Sequence, residues 1–222
     1  MGKITKIIFL DNIKSRVVIV YFVLLALLSW TSLLLQDNES KGALTVLNII
    51  LFVTPLMSLL YTVTYLYDSH DFQVLLLSQP IKRKQIWQSL YMGVSLSLLI
   101  AFLLGAGIPM LMYTDLTTGL ILVLMGCVNT LIFVSLAFLT TMLTSDKTRG
   151  TGVSILIWLL LTMIYDAILL YAIFLLSDWP LETPLLTLLM LNPLDLTRFQ
   201  VILQMDVAAM MRSEERRVGK EC

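Results

Sequence analysis

Three polar side chains lie inside long apolar stretches of the sequence, where a bilayer would offer them no water. Asp166 stands near the middle of one stretch, and Asn48 and Asn129 stand inside two others. A carboxylate at the centre of a membrane helix costs about 2.5–3.5 kcal/mol on insertion scales, so it needs a partner, a wet cavity or a proton. Asp166 is either a conduit or proton-linked group, or a hydrogen-bonded contact between helices or subunits with Tyr165 or Tyr171 nearby; the contact is favoured. The two amides predict helix–helix hydrogen bonds of about 1 kcal/mol each.

A second set of candidate residues lies in the segment Asp68–Gln88, which reads DSHDFQVLLLSQPIKRKQIWQ. Asp68 or Ser69 can cap a short helix, and Pro80 must end it. The apolar stretch Val74–Leu77 beside a membrane needs a surface to cover it. Two interpretations stay open: an interfacial helix with its basic cluster at anionic lipid headgroups, or a docking helix for a soluble subunit.

The sequence offers no catalytic or metal-binding motif. It contains no GxxxxGK[ST] loop, no HExxH, no G-x-S-x-G and no intramembrane pair of aspartates, so we expect no enzyme and no directly bound nucleotide. His70 is the single histidine, and Cys127 and Cys222 have no CxxC spacing, which leaves a zinc site or a disulfide framework unsupported. Thioethers suit Cu(I), but the 12 Met residues serve equally well as apolar filler, and copper binding is the weaker interpretation.

Composition places these residues in a membrane protein. The 222 residues are 58% hydrophobic and 14% charged, with a mean hydropathy of +0.89. Ordinary soluble domains are nearer to 45–50% apolar and about 25% charged. The formal net charge is zero, and no basic, aromatic-rich run indicates a nucleic-acid partner. Lipid is therefore the solvent that makes this composition stable.

Five apolar stretches are long enough to cross the roughly 30 Å hydrocarbon core as helices. They are too long and too uniformly apolar for the alternating strands of a barrel. The predicted fold class is all-α, a polytopic transmembrane helical bundle. Pro55 and Pro109, the latter preceded by Gly105-x-Gly107, predict kinks in the second and third spans. The predicted spans are 17–35, 43–67, 90–113, 116–143 and 151–176.

The distribution of Lys and Arg predicts the orientation. The loops on one face hold nine basic residues, and those on the other face hold two, Lys41 and Arg198. Basic residues accumulate on the cytoplasmic side, so the N-terminus is predicted to be cytoplasmic. Residues 1–16 are charged and amphipathic, which predicts a cytoplasmic elbow helix at the membrane surface rather than a cleavable signal peptide.

The segment after the fifth span has a different character. Residues 177–211 are broken by prolines and predict an extracytoplasmic amphipathic segment lying at the outer membrane surface. Within it, Asn192 as N-cap and Pro193 at the first helical position predict a helix start, with Asp195 in the first turn. Its apolar stripe is Leu196, Phe199, Leu203, Val207 and Met210, with Arg198, Gln200 and Gln204 off that stripe.

The final residues, 212–222, are crowded with charges on the face predicted to be extracytoplasmic. We expect this tail, RSEERRVGKEC, to be appended sequence that is foreign to the fold. The expectation that follows is a truncated chain with five spans of a probable six.

Three stretches resemble the permeases of the type-2 ABC export superfamily and, within it, the NosY family. The first is LLLSQPIKRKQIW (Leu75–Trp87), which is similar to the superfamily's cytoplasmic loop. The others are SDKTRGTGVSILIWLLLTMIYDAILL (Ser145–Leu170) and LNPLDLTRFQVILQMDVAAMM (Leu191–Met211), the latter similar to an NP-x-DL-x-R segment. The chain departs from the family before the loop, where many members carry E-R-E-x-G-T and this sequence has DSHDFQ (Asp68–Gln73).

The resemblance implies a permease that binds no cofactor itself and uses ATP through a partner. It implies a homodimer of permeases in the lipid of a bacterial inner membrane, with a separate NosF-like ATPase below it and a periplasmic NosD-like protein above it. Family members support maturation of the copper–sulfur centre of nitrous oxide reductase. The Asp68–Gln88 loop, and the segment 146–150, would pass ATPase motion to the helices. The residues that the resemblance assigns to coupling are Asp71, Phe72, Val74, Leu75, Leu76, Pro80 and Arg83.

Overall fold

The computed structural model describes residues 2–35, 39–78, 82–175 and 182–218. Within these ranges every regular element is a helix, so the predicted all-α class is confirmed. The α-helices run Gly2–Ile13 (α1), Arg16–Leu34 (α2), Glu39–Asp68 (α3), His70–Leu77 (α4), Arg83–Phe102 (α5), Ile108–Tyr113 (α6), Leu116–Leu143 (α7), Lys147–Leu159 (α8), Tyr165–Leu175 (α9), Glu182–Leu191 (α10) and Pro193–Val218 (α11).

Five of the described helical segments are long and apolar enough to cross a membrane: Arg16–Leu34, Lys41–Asp68, Arg83–Tyr113, Leu116–Leu143 and Lys147–Leu175. The third and fifth begin earlier than hydropathy predicts, at Arg83 instead of 90 and at Lys147 instead of 151. The reason is that a helix does not stop where the hydrocarbon stops, because its backbone hydrogen bonds continue into the interface. At 1.5 Å per residue, a 31-residue helix exceeds the roughly 30 Å apolar core.

Close helix contacts at two glycines organise the core. The elbow helix α1 packs on α5, where a Cβ added at Gly93 would lie 2.4 Å from Cγ2 of Ile8. The ring of Phe102 on α5 fills the space beside Gly126 on α7, and a Cβ there would lie 2.1 Å from its Cζ. Both contacts are closer than any side chain allows, so glycine is needed for these helices to approach each other.

Two π-helical segments interrupt the α-helical spans, and the first lies beside a proline. The π-helical segment Leu103–Gly107 precedes Pro109, which has no N–H for the carbonyl of Gly105. A second π-helical segment, Leu160–Ile164, separates α8 from α9. By contrast, α3 runs without interruption through Pro55.

The helix α11 begins at Pro193, as the Asn192–Pro193 spacing predicts, and the Asn192 side chain accepts a hydrogen bond from the Leu194 N–H at 3.2 Å. Its first turns pack against α7 and α3. The stripe residues Leu196, Phe199 and Leu203 are exposed. The buried side of the helix is formed by Leu194, Asp195, Thr197 and Val201.

The position of α11 at the outer membrane surface stays a prediction, but its apolar stripe is not its buried side. Arg198, off that stripe as predicted, is half-buried and contacts Asp166 of the fifth span. The helix continues to Val218, through residues 212–218 of the predicted foreign tail. Residues 219–222 lie outside the described ranges.

Candidate functional site

The short helix α4 presents an exposed apolar surface at the end of the second span. Val74, Leu75 and Leu77 are 52%, 65% and 48% exposed, whereas Leu76 is buried against the bundle. Ser69 occupies the N-cap position, as the sequence predicts, although its side chain forms no capping hydrogen bond. Of the other predicted coupling residues, Asp71 and Phe72 lie on α4, Arg83 begins α5 and Pro80 lies outside the described residues.

The helix α4 is held to α3 by the side chain of Gln73. Its Nε2 donates to the carbonyl of Leu66 at 2.9 Å and to the Ser69 hydroxyl at 3.1 Å. A side-chain amide that bridges back by one or two turns fixes the angle between the two helices. The two bonds therefore join α4 directly to the last turn of α3.

A second contact joins α3 to the segment that leads into α8. Lys147 Nζ lies 2.6 Å from an Asp68 carboxylate oxygen, and the Tyr67 hydroxyl donates to the carbonyl of Thr144 at 2.9 Å. At Gly150 an added Cβ would lie 2.6 Å from Cε2 of Tyr67, so the ring sits directly on the backbone of α8. Sequence reasoning named the segment 146–150 as a second coupling element but did not pair it with Tyr67 and Asp68. The two predicted coupling segments are therefore in direct contact.

Asp166, the intramembrane carboxylate, pairs with Arg198 of α11. Arg198 Nη1 lies 2.9 Å from an Asp166 carboxylate oxygen and 3.8 Å from one of Asp195. Tyr165 is not the partner, because its hydroxyl donates to the carbonyl of Leu188. Asp166 therefore contacts another helix, through a partner that sequence reasoning missed, and its role as a contact or a conduit group stays a prediction. A signal for that partner existed, since Arg198 is one of two basic residues predicted on the outer face.

Asn192 connects the start of α11 to the second π-helical segment. Its Nδ2 donates to the carbonyl of Leu161 and to Asp195, both at 2.8 Å. A π-helical turn shifts the backbone ladder and leaves a carbonyl without its usual partner four residues on. The buried amide of Asn192 donates to one carbonyl of this segment, which fixes α11 against the fifth span.

The other two intramembrane amides also meet α11. Asn129 Nδ2 donates to the Thr197 hydroxyl at 3.2 Å. Asn48 lines a cavity of about 190 Å³ together with Asp166 and Arg198. All three polar residues that the sequence places in the membrane therefore surround one helix. We call Asp166, Asn192, Asp195 and Arg198 the polar cluster.

The electrostatics of the polar cluster favour a bound proton. Burial, and after it the neighbouring Asp166 carboxyl, raise the pKa of Asp195 to about 7 against the lowering effects of Asn192 and Arg198. Asp195 is 3% exposed, so little water reaches its charge. Two carboxyls that share one guanidinium can hold a proton near neutral pH.

Comparison with known proteins finds similarity to two permeases. No protein-family model matches the chain. It is 30% identical over 175 residues to a protein named probable ABC transporter permease protein NosY from Pseudomonas aeruginosa, a match that covers 71% of this chain and 62% of the relative. It is also 30% identical over 160 residues to the protein of the same name from Stutzerimonas stutzeri, covering 66% of this chain and 58% of the relative. The chain spans less than two thirds of the length of these curated relatives. It is similar to them in sequence, and its five apolar helices are those of a multi-pass membrane protein.

Proposed function

We propose that this chain is the permease subunit of an ATP-driven ABC transporter. Sequence similarity to two proteins named as permeases supports this proposal, and five helices that could cross a membrane are consistent with it. The observation that carries the proposal is the exposed apolar surface of α4. Three large aliphatic side chains stand exposed at the predicted cytoplasmic face beside a helix that is itself anchored to the bundle. Such a surface fits docking of a soluble protein, here an ATPase.

The contacts of α4 describe how the work of a partner ATPase would reach the membrane. A displacement of α4 moves the end of α3 through Gln73 and Leu66. The end of α3 moves α8 through the Asp68–Lys147 pair and the Tyr67 ring. The permease itself holds no nucleotide and supplies only this linkage.

The finer proposal is a role in maturation of nitrous oxide reductase, as a homodimer with a NosF-like ATPase and a periplasmic NosD-like protein in the bacterial inner membrane. The name NosY of both relatives supports this assignment. The fifth span supports the homodimer, because only 11% of its most apolar 18-residue stretch is buried within one chain. A helix with so little internal packing has most of its surface available for a second copy.

A second candidate function is a membrane scaffold that transmits ATPase-driven motion to periplasmic partners without passing a solute. The exposed surface of α9 favours it, because that surface is mainly apolar, with Ile168, Leu170, Ile173 and Phe174 exposed and only the Tyr171 hydroxyl as a polar group among them. Transport of a solute needs polar or charged groups along its path. Uptake or release by vesicles that contain the permease and its ATPase distinguishes the two functions.

The test of docking is ATP turnover by a co-purified candidate ATPase with and without the chain. Leu75→Asp places a charge on the exposed α4 surface and should abolish the stimulation that the permease gives. Leu76→Asp is less informative, because Leu76 is buried and its loss would disturb folding. Leu35→Asp is the matched control, since Leu35 is an exposed leucine at the opposite end of a span. Unchanged ATP turnover with Leu75→Asp would contradict the docking assignment.

A further inference from the structure

A cleft of about 560 Å³ lies between the elbow and the half of α3 that ends at Asp68, and it includes no residue of α4 or of the polar cluster. One wall is a single face of α3, since Met57, Leu60, Thr64 and Asp68 recur at helical spacing. At 1.5 Å per residue this wall is about 16 Å long. The opposite wall comes from the end of α1 and the start of α2.

The polarity of the cleft changes in one direction along this wall. Its deep end is apolar, with Met57 and Leu60, and Val17 adds an apolar side chain to the opposite wall. Hydroxyl groups of Thr64 and Tyr65 follow about one turn nearer to the cytoplasmic end. Charged side chains stand at the mouth. A phospholipid has the same order of polarity, from its apolar acyl chain through the ester groups to the charged headgroup.

The mouth of the cleft holds both signs of charge. Asp11 and Lys14 are both exposed and line the cleft three residues apart at the end of α1. Neither forms an ion pair with another residue of the described ranges, whereas Asp68 is already paired with Lys147. A ligand that matches this mouth carries a phosphate for the Lys14 ammonium and a cationic nitrogen for the Asp11 carboxylate.

The walls are held in place without a ligand. The Tyr61 hydroxyl donates to the Asn12 side-chain oxygen at 2.5 Å, which joins α3 to α1. Asn12 is fully buried and its amide also donates to the carbonyl of Ile8 at 2.7 Å. The rings of Tyr61 and Tyr65 stack with centroids 6.1 Å apart. A cleft fixed by such contacts is preorganised, so little ordering is needed when a ligand enters.

We propose that this cleft is a binding site for one phospholipid with a zwitterionic aminophosphate headgroup, phosphatidylethanolamine being the matching class. Lys14 binds the phosphate and Asp11 binds the primary ammonium. The glycerol esters lie beside the Thr64 and Tyr65 hydroxyls, and an acyl chain lies along Leu60 and Met57. An anionic lipid would satisfy Lys14 alone and would meet the Asp11 carboxylate unfavourably. A choline headgroup would offer Asp11 no N–H donor.

The experiment measures lipid retention by the full chain in nanodiscs of phosphatidylcholine that contain a minor fraction of phosphatidylethanolamine or phosphatidylglycerol. Native mass spectrometry after release counts the lipids that stay bound. The expected result is retention of one phosphatidylethanolamine over the other two lipids. Lys14→Gln should lower that retention about fivefold, the effect of one lost charged contact. Lys84→Gln is the matched control, because Lys84 is exposed on the same face outside the cleft.

Asp11→Asn separates the zwitterion from a general anion site. The variant should lose the preference for phosphatidylethanolamine over phosphatidylcholine, while keeping a monodisperse elution profile. Val17→Trp should exclude the lipid by filling the cleft. Three outcomes would overturn the proposal: equal retention of all lipids, preference for phosphatidylglycerol, or retention unaffected by Lys14→Gln. Retention of a peptide or another protein in the cleft in place of lipid would overturn it too.

Discussion

The ion pair between Asp166 and Arg198 should contribute measurably to stability, and replacing Arg198 should cost more than replacing Asp166. A charge-assisted hydrogen bond at 2.9 Å contributes about 1.5–3 kcal/mol, and a stranded buried charge adds to its loss. The two side chains are 39% and 29% exposed, so solvent screens part of this energy. We therefore expect Arg198→Met to lower the free energy of unfolding by about 2 kcal/mol. Arg198→Met also removes the cation beside Asp195, whereas Asp166→Asn leaves that cation in place.

The assay is equilibrium unfolding of purified protein in mixed micelles by titration with SDS, performed on both single variants and on the double variant. The coupling free energy of the cycle should be about 1 kcal/mol. The exposed Asp146–Arg149 pair, three residues apart on one helix, is the control and should give about 0.3 kcal/mol. Coupling no larger than the control, or equal costs for the two single variants, would refute the reasoning.

Three further results follow from the described contacts. Gly126→Ala should destabilise the chain by about 1–3 kcal/mol, because its Cβ meets the Phe102 ring, and Phe102→Leu should partly restore it in the same assay. Asn192→Ala should cost about 1–2 kcal/mol and increase hydrogen exchange at the start of α11, since it removes both the cap and the donor to Leu161; unchanged exchange would contradict this. Asp195 binds its proton more tightly in the folded protein, where its pKa is about 7, than in the unfolded chain, where it is 3.8. The free energy of unfolding should therefore fall as the pH rises from about 4 to 7 and then level off. Asp195→Asn should remove this pH dependence.

The long-range features of this molecule divide into those that local chemistry determines and those that packing determines. The five spans follow from hydropathy, because crossing lipid requires a run of apolar residues whatever the neighbours are. The start of α11 follows from Asn192 and Pro193 for an equally local reason. By contrast, nothing local shows that Gly93 and Gly126 are sites of close approach, because that depends on Ile8 and Phe102 from other helices.

The orientation of α11 could not be derived from its pattern, and the reason is the solvent. In a soluble protein the apolar stripe of a helix faces the core and its polar side faces water. Beside a membrane the stripe of Leu196 and Phe199 can face lipid, while Thr197 bonds to Asn129 and Arg198 pairs with Asp166 of the neighbouring helices. Amphipathicity therefore predicts a helix but not which side faces inward. The candidate site was predicted in part, since Asp166 and the two amides were found but their shared partner helix was not.

The pairing of Asp166 with Arg198 also has a consequence for how the protein is made. Arg198 follows Asp166 by 32 residues, so the fifth span reaches the bilayer while its counter-ion is still held in the ribosome and cannot reach it. During that interval the translocation machinery meets an unpaired carboxylate worth about 2.5–3.5 kcal/mol against insertion. Leucine and its relatives favour insertion by about 0.3–0.6 kcal/mol each, so the many aliphatic residues of Lys147–Leu175 can offset the carboxylate alone. Insertion and pairing are then separate events in time, and folding back of α11 locks in place a helix that has already crossed.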